Sequence, residues 1–195
     1  KTFNSKPVLK IISVGRCHWK KGFTYALDTM RGLKKQGVNF HYTLIASGKD
    51  QENINYQIQD LGLNGLVSFI NGLPHEKVLE MVLISDLFIL PSVEEGISNA
   101  VLEAMALGIP VICTDCGGMT EVIKNGLNGF TVPVRDSKVL QHTIEDFIGI
   151  EKKNKLKIIS NAQNTIRENY ILTKQIDKMI SFYRNSMSKP RYSLI

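Results

Sequence analysis

Four charged side chains carry the chemistry in this sequence: Arg16 and Lys21 in one turn, Glu95 and Glu103 at one strand-to-helix junction. A guanidinium grips phosphate oxygens through two parallel hydrogen bonds, and an ammonium adds a point charge. Two such cations can neutralise a diphosphate without a metal. Glu103 is the only charge within Ala100-Val101-Leu102-Glu103-Ala104-Met105-Ala106-Leu107. Burying an unpaired carboxylate is so costly that this run predicts a dedicated partner for it. Just upstream, Pro91-Ser92-Val93-Glu94-Glu95-Gly96-Ile97-Ser98-Asn99 predicts the end of a buried strand turning into that helix, with Ser98 or Asn99 as its cap. Such a junction leaves free backbone N–H groups and the positive end of a helix dipole at one spot, which binds anions. Glu95 before the helix, amides at its start and Glu103 after its first turn suit a ligand with hydroxyls at both ends and a phosphate between.

The turn Gly15-Arg16-Cys17-His18-Trp19-Lys20-Lys21-Gly22 follows the first predicted strand, at the strand end where ligands of open α/β sheets sit. It fits neither G-x-G-x-x-G nor the P-loop G-x-x-x-x-G-K-[ST], which disfavours nicotinamide dehydrogenases and ATPases. His18 beside cations makes a poor base, and Trp19 is expected as a packing anchor rather than a stacking platform. Cys113-Thr114-Asp115-Cys116 matches C-x-x-C, but it lacks the second ligand pair of a zinc site and follows a strand instead of opening a redox helix. No metal site is expected.

These groups need a scaffold. With 195 residues and 43% hydrophobic content the chain can bury a sizeable core as one domain. Three cysteines are too few and too scattered for a disulfide framework, no apolar run is long enough to span a membrane, and the first residues lack the regions of a secretory signal. A cytoplasmic location is expected. The formal charge of +6 invites a nucleic-acid partner, but the basic residues gather in Lys152 to Lys157 and from Lys174 to Arg191, where helical spacing makes a solvated face. No nucleic-acid role is expected; attachment to the periphery of an acidic membrane stays open.

Short apolar runs alternate with helix-period segments, the pattern of a parallel sheet covered by helices, so the fold class is α/β. Strands are predicted at 8–14, 40–46, 67–70, 86–90, 110–113 and 130–132, with helices at 23–36, 51–61, 75–83, after Ser98 and after Gly118. From Asp136 the pattern is helical throughout, ending in helices at about 154–169 and 172–184 that have no strands left to cover. The first strand begins almost at residue 1. Both features suggest half of a larger protein, with the last helices either packing onto a neighbouring domain or forming a layer of their own.

Val14-Gly15-Arg16 with Lys21-Gly22, Asp86 to Ser92, Glu95-Gly96 followed by Leu102-Glu103-Ala104-Met105-Ala106, Gly108 to Ile112, Gly117-Gly118 with Glu121-Val122-Ile123, and Asn128-Gly129 together resemble the C-terminal, donor-binding domain of family 4 glycosyltransferases of GT-B architecture. The resemblance covers about residues 7–150. It implies a Rossmann-like parallel sheet with helices on both faces over 1–150, a C-terminal helical extension of the same domain over 151–195, and an N-terminal acceptor domain absent from the chain. It also implies retention of anomeric configuration, no resident cofactor or metal, and a UDP- or GDP-sugar as substrate, with a hexosyl group passing to a glycan or lipid-linked acceptor. By the same resemblance, Arg16 and Lys21 hold the diphosphate, Glu95 contacts the donor sugar and Glu103 the ribose. Gly15, Gly96, Ile97, Ser98 and Asn99 line the sugar and phosphate, and Gly72 and Leu73 lie on the base-binding loop. Many members carry Gly-Phe-Gly after the first glutamate; Gly96-Ile97-Ser98-Asn99 is similar to the variant of enzymes that build bacterial capsule, exopolysaccharide or lipopolysaccharide. Without the other domain the chain is expected to bind donor and not turn over. Two alternatives remain: a nucleotide-sugar epimerase of the same architecture, and a non-catalytic nucleotide-binding module.

Overall fold

The structure, a computed structural model, describes residues 7–171 together with 173, 174, 176 and 179–181. Six strands, β1 (Leu9–Arg16), β2 (Phe40–Ser47), β3 (Val67–Ile70), β4 (Leu87–Leu90), β5 (Val111–Thr114) and β6 (Phe130–Val132), form one sheet in the order β3-β2-β1-β4-β5-β6. Every pairing is parallel. Among the described residues the helices that cover the sheet are α1 (Phe23–Lys35), α2 (Gln51–Asp60), α3 (His75–Leu83), α4 (Asn99–Ala106), α5 (Met119–Val122), α6 (Ser137–Gly149) and α7 (Lys152–Asn169).

Period-two alternation builds two cores. Ile11, Leu44, Leu87, Ile89 and Ile112 point to one face, where α1, α2 and α6 cover them with Phe23, Leu27, Ile54, Leu140 and Ile144. Their neighbours Ile12, Ile45, Phe88, Leu90, Val111 and Cys113 point to the other, beneath Val82 of α3, Val101 and Met105 of α4, Met119 of α5 and Ala162 and Ile166 of α7. Strands buried on both faces explain why the runs read as continuously apolar.

The predicted strands at 67–70 and 130–132 and the helix at 75–83 coincide with β3, β6 and α3, and the other predicted boundaries differ by no more than two residues. The helix α7 lies against α4 of its own sheet: Asn128 Nδ2 donates to Thr165 Oγ1 (3.0 Å) and Gln163 Nε2 to the Ala106 carbonyl (3.3 Å). The helix α7 thus packs on the helical layer of its own chain. The expected helix at 172–184 falls mostly outside the described residues.

In this strand order the chain leaves β1 toward β2 under α1 and returns to β4 under α3, on the opposite face. The connections diverge at the carboxyl ends of β1 and β4, which opens a crevice there.

Candidate functional site

Two loops meet at that crevice. After β1 the chain makes a tight turn at 19–21 and enters α1 through Gly22, whose φ is +63° and whose Cβ, if present, would lie 2.0 Å from the Pro91 carbonyl oxygen. Only glycine fits there. The Lys20 carbonyl accepts the Val93 N–H (2.7 Å) and the Glu94 N–H (3.3 Å), so the turn and the loop after β4 are held as one unit. Gly117 does the same on the far side: its φ is +55°, and a Cβ would meet the Glu95 carbonyl oxygen at 1.7 Å. The backbone at Glu95 is thus fixed from both flanks.

The side chains follow. The Lys21 ammonium donates to Glu95 Oε2, and both side chains are largely buried, at 15% and 17% exposure. Ser92 Oγ donates to the same oxygen at 3.3 Å. Arg16, the last residue of β1, is exposed and its guanidinium has no partner among the described residues. Arg16, Lys21 and Glu95 line a cavity of about 400 Å³. Gly15, Arg16, Lys21 and Glu95 contribute one wall, Gly72 and Leu73 after β3 another, and Ile97, Ser98 and Asn99 the entrance to α4. Ser98 caps α4 through its backbone, accepting the Val101 and Leu102 N–H groups, with no side-chain bond, so the first amides of the helix stay available toward the cavity.

Gly96 and Glu103 are not among the lining residues. Glu103 also corrects the premise that brought it forward. The helix α4 buries Val101, Ala104 and Met105, while Glu103 lies four residues beyond Asn99 on another face, 36% exposed, with His75 Nε2 3.6 Å from its Oε1. Apolar neighbours in sequence did not mean apolar neighbours in space, and no buried partner is required. Trp19 is corrected likewise: at 57% exposure it anchors no packing.

Residues the sequence did not bring forward are Ser47 and Ala46 of β2, Val78 of α3 and Ala100 of α4, all on the cavity wall. Ser47 is paired in register with Arg16, so the strand end beside the cationic turn was the available signal. The three cysteines are free and buried. Burial pushes the Cys113 thiol up to about 12, with Cys116 and Asp115 adding to it, and burial raises Cys116 against the opposing hydrogen bond from Thr114. Both are neutral core thiols, which removes a redox role for C-x-x-C. No group of His, Cys, Asp and Glu able to hold a metal occurs among the described residues.

A larger hollow, about 680 Å³, opens at the amino ends of β1, β4 and β5. Its charged groups are engaged, Asp86 accepting the Lys10 N–H (2.8 Å) and Lys155 sitting 4.5 Å from the Phe147 ring centroid. Arg16, without a side-chain partner among the described residues, and the first amides of α4 lie instead at the carboxyl end of the sheet.

A doubly wound parallel sheet with a cationic, amide-lined cavity at its switch point is a Rossmann-like domain. The chain belongs to the family described as glycosyl transferases group 1, whose model matches residues 1–165. It is similar to the putative colanic acid biosynthesis glycosyltransferase WcaL of Salmonella typhimurium, at 32% identity over 168 residues that make up 83% of this chain and 41% of that protein. It is also similar to the N,N'-diacetylbacillosaminyl-diphospho-undecaprenol alpha-1,3-N-acetylgalactosaminyltransferase of Campylobacter jejuni, at 27% identity over 91% of this chain and 45% of that protein. The fold matches Anabaena Alr3699/HepE, solved in complex with UDP and glucose, with a TM-score of 0.79 and 23% identity over 89% of this chain and 48% of that one. The chain therefore spans less than half the length of these relatives. No helix among the described residues is long and apolar enough to cross a membrane.

Proposed function

We propose that this chain is the donor-binding half of a retaining glycosyltransferase, taking a UDP- or GDP-hexose in the crevice between the ends of β1 and β4. The observation that carries the reading is the convergence of Arg16, Lys21, Glu95 and the first amides of α4 on one cavity. Arg16 grips the diphosphate in a bidentate way, Lys21 adds charge beside it, and the helix amides complete the anion site. Two cations and one carboxylate leave one net positive charge, enough to favour a diphosphate and still offer Glu95 to sugar hydroxyls. Glu103, on the outer turn of α4, is assigned to the ribose, with Gly72 and Leu73 facing the base.

The chemical contribution of this half is electrostatic. Negative charge accumulates on the diphosphate as the glycosidic bond breaks, and preorganised cations and amides stabilise that charge most where it develops. The nucleotide sugar is substrate rather than resident cofactor. An N-terminal domain supplies the acceptor and, by closing, excludes water, so the chain alone binds without turnover. A glycan or lipid-linked acceptor is supported by the names of the relatives, whose products are polysaccharides or undecaprenol-linked sugars. With such an acceptor the enzyme would work in the cytoplasm, at the inner face of the membrane. Family membership favours transfer over epimerisation.

The test is calorimetric titration of the chain with UDP-, GDP- and ADP-glucose. One of the first two is expected to bind, and the Arg16→Ala/Lys21→Ala double variant is expected to lose it. Unchanged binding in the double variant removes the phosphate site.

A further inference from the structure

The turn between β1 and α1 has a second side. Arg16 and Lys21 line the cavity described above, whereas Cys17, His18 and Trp19 line another, of about 310 Å³, on the α1 and α2 side of the same turn. We propose that this second cavity is a saccharide subsite that holds a sugar of the acceptor glycan away from the reacting one. The assignment to the acceptor rests on the glycosyltransferase reading; the binding chemistry does not.

The polar side chains of His18, Thr24, Tyr25, Asp50, Asn53 and Arg135 line it together with the Trp19 indole. Trp19 is 57% exposed, an unusual state for an indole in a folded chain. His18 Nδ1 accepts the Lys20 N–H at 3.3 Å, which leaves Nε2 as the donor of the ring. Asp50 stands at the cap position of α2, yet its carboxylate caps nothing. The Asn53 amide, the Tyr25 hydroxyl and the Arg135 guanidinium have no hydrogen-bond partner among the described residues. Arg135 is also the only non-glycine residue with a left-handed backbone among them, at φ +61°. Such strain persists at positions the surroundings over-determine.

The class of ligand follows from these groups. A pyranose presents a face of C–H bonds that packs on an indole, and pairs of adjacent hydroxyls that planar carboxylate, amide and guanidinium groups bind two at a time. Asp50 and Arg135 offset one another, so the cavity has no net charge with which to select an anion. It differs in this from its neighbour. A concave site with an aromatic wall and a few convergent polar groups is the usual form of a small-ligand site. Its position, one turn away from the leaving diphosphate and on the same carboxyl-end rim of the sheet, suits a glycan running past the donor.

Trp19 is the only tryptophan of the chain, so its fluorescence reports on this cavity directly. The 195-residue chain is titrated with the methyl glycosides of glucose, galactose and N-acetylglucosamine and with lactose, with and without saturating UDP-glucose. At least one probe is expected to give a saturable change with Kd on the order of 1–10 mM, unaltered by UDP-glucose. Asn53→Ala and Arg135→Gly are expected to weaken it about tenfold, the second while relieving backbone strain and so preserving the fold. No saturable response, a response that survives both variants, or one that UDP-glucose displaces overturns the subsite. UDP titrated by calorimetry separates the two proposals: a chain that binds UDP without any sugar response loses only the subsite. A sugar response without UDP binding overturns the donor reading and the acceptor assignment with it.

Discussion

Lys21 and Glu95, 74 residues apart in sequence, form an ion pair in the wall of the cavity. The pairing joins the loops after β1 and β4, the neighbouring parallel strands at which the strand order reverses. It also means that the two side chains assigned to phosphate and sugar hold one another in place before any ligand arrives, while Arg16, the other cation of this wall, has no side-chain partner among the described residues.

That difference separates the two cations by experiment. Arg16→Ala removes a group with nothing to lose in the free protein, so the melting temperature should stay within about 2 °C of the parent. Its affinity for UDP should fall roughly 10–100-fold, the worth of a charge-assisted hydrogen bond. Lys21→Ala should lose both affinity and stability, because Glu95 is left largely buried and unpaired. Calorimetry and thermal melts on the two variants check both statements.

Glu95→Gln is expected to split nucleotide from nucleotide sugar. Neutralising the carboxylate frees Lys21, so UDP alone should bind several-fold tighter, while a UDP-hexose that uses the carboxylate should bind no better or worse. Parallel titrations with UDP and UDP-glucose read the ratio. Equal gains for both ligands would show that Glu95 makes no sugar contact.

Gly117→Ala tests the buttress behind Glu95. The new Cβ meets backbone at 1.7 Å in a left-handed conformation, so the loop must move, at a cost of about 2–4 kcal/mol and a fall in melting temperature of roughly 5–15 °C. Gly126→Ala is the control. Its φ is +74° with nothing within 4 Å, and it should cost only about 1 kcal/mol.

Stability should fall in alkali. The Cys113 thiol is raised from 9.0 to about 12 in the folded chain, mainly by burial. The unfolded chain therefore gives up this proton at lower pH than the native one, so the stabilisation is complete below about pH 9 and is lost as pH rises toward 12. Melts between pH 7 and 11 should show the decline, with a shallower slope in Cys113→Ala; the burial-raised shifts of Cys116 and Tyr42 supply what remains.

Much of this architecture was legible because it depends on period and punctuation. The run Val67-Ser68-Phe69-Ile70 between Gly65 and Asn71-Gly72 became β3 as expected, and His75–Leu83 became α3. The buried setting expected for Glu103 failed for a definite reason. A count of apolar neighbours along the chain says nothing about which side of a helix faces the sheet, and α4 presents Val101, Ala104 and Met105 inward while Glu103 faces His75. Trp19 failed similarly, since a turn of three residues has no interior for an indole to enter.

By itself, the sequence determined the α/β class, the order of its elements and the residue types that could meet a diphosphate, since these follow from local periodicity and side-chain chemistry. Only the tertiary structure decided that Lys21 is bound to Glu95, that Ser47 shares the wall with Arg16, and that one turn faces two cavities. Those relations join residues tens of positions apart, and the physical agent that joins them is the stacking of parallel strands beside the reversal between β1 and β4, which no stretch of sequence contains on its own.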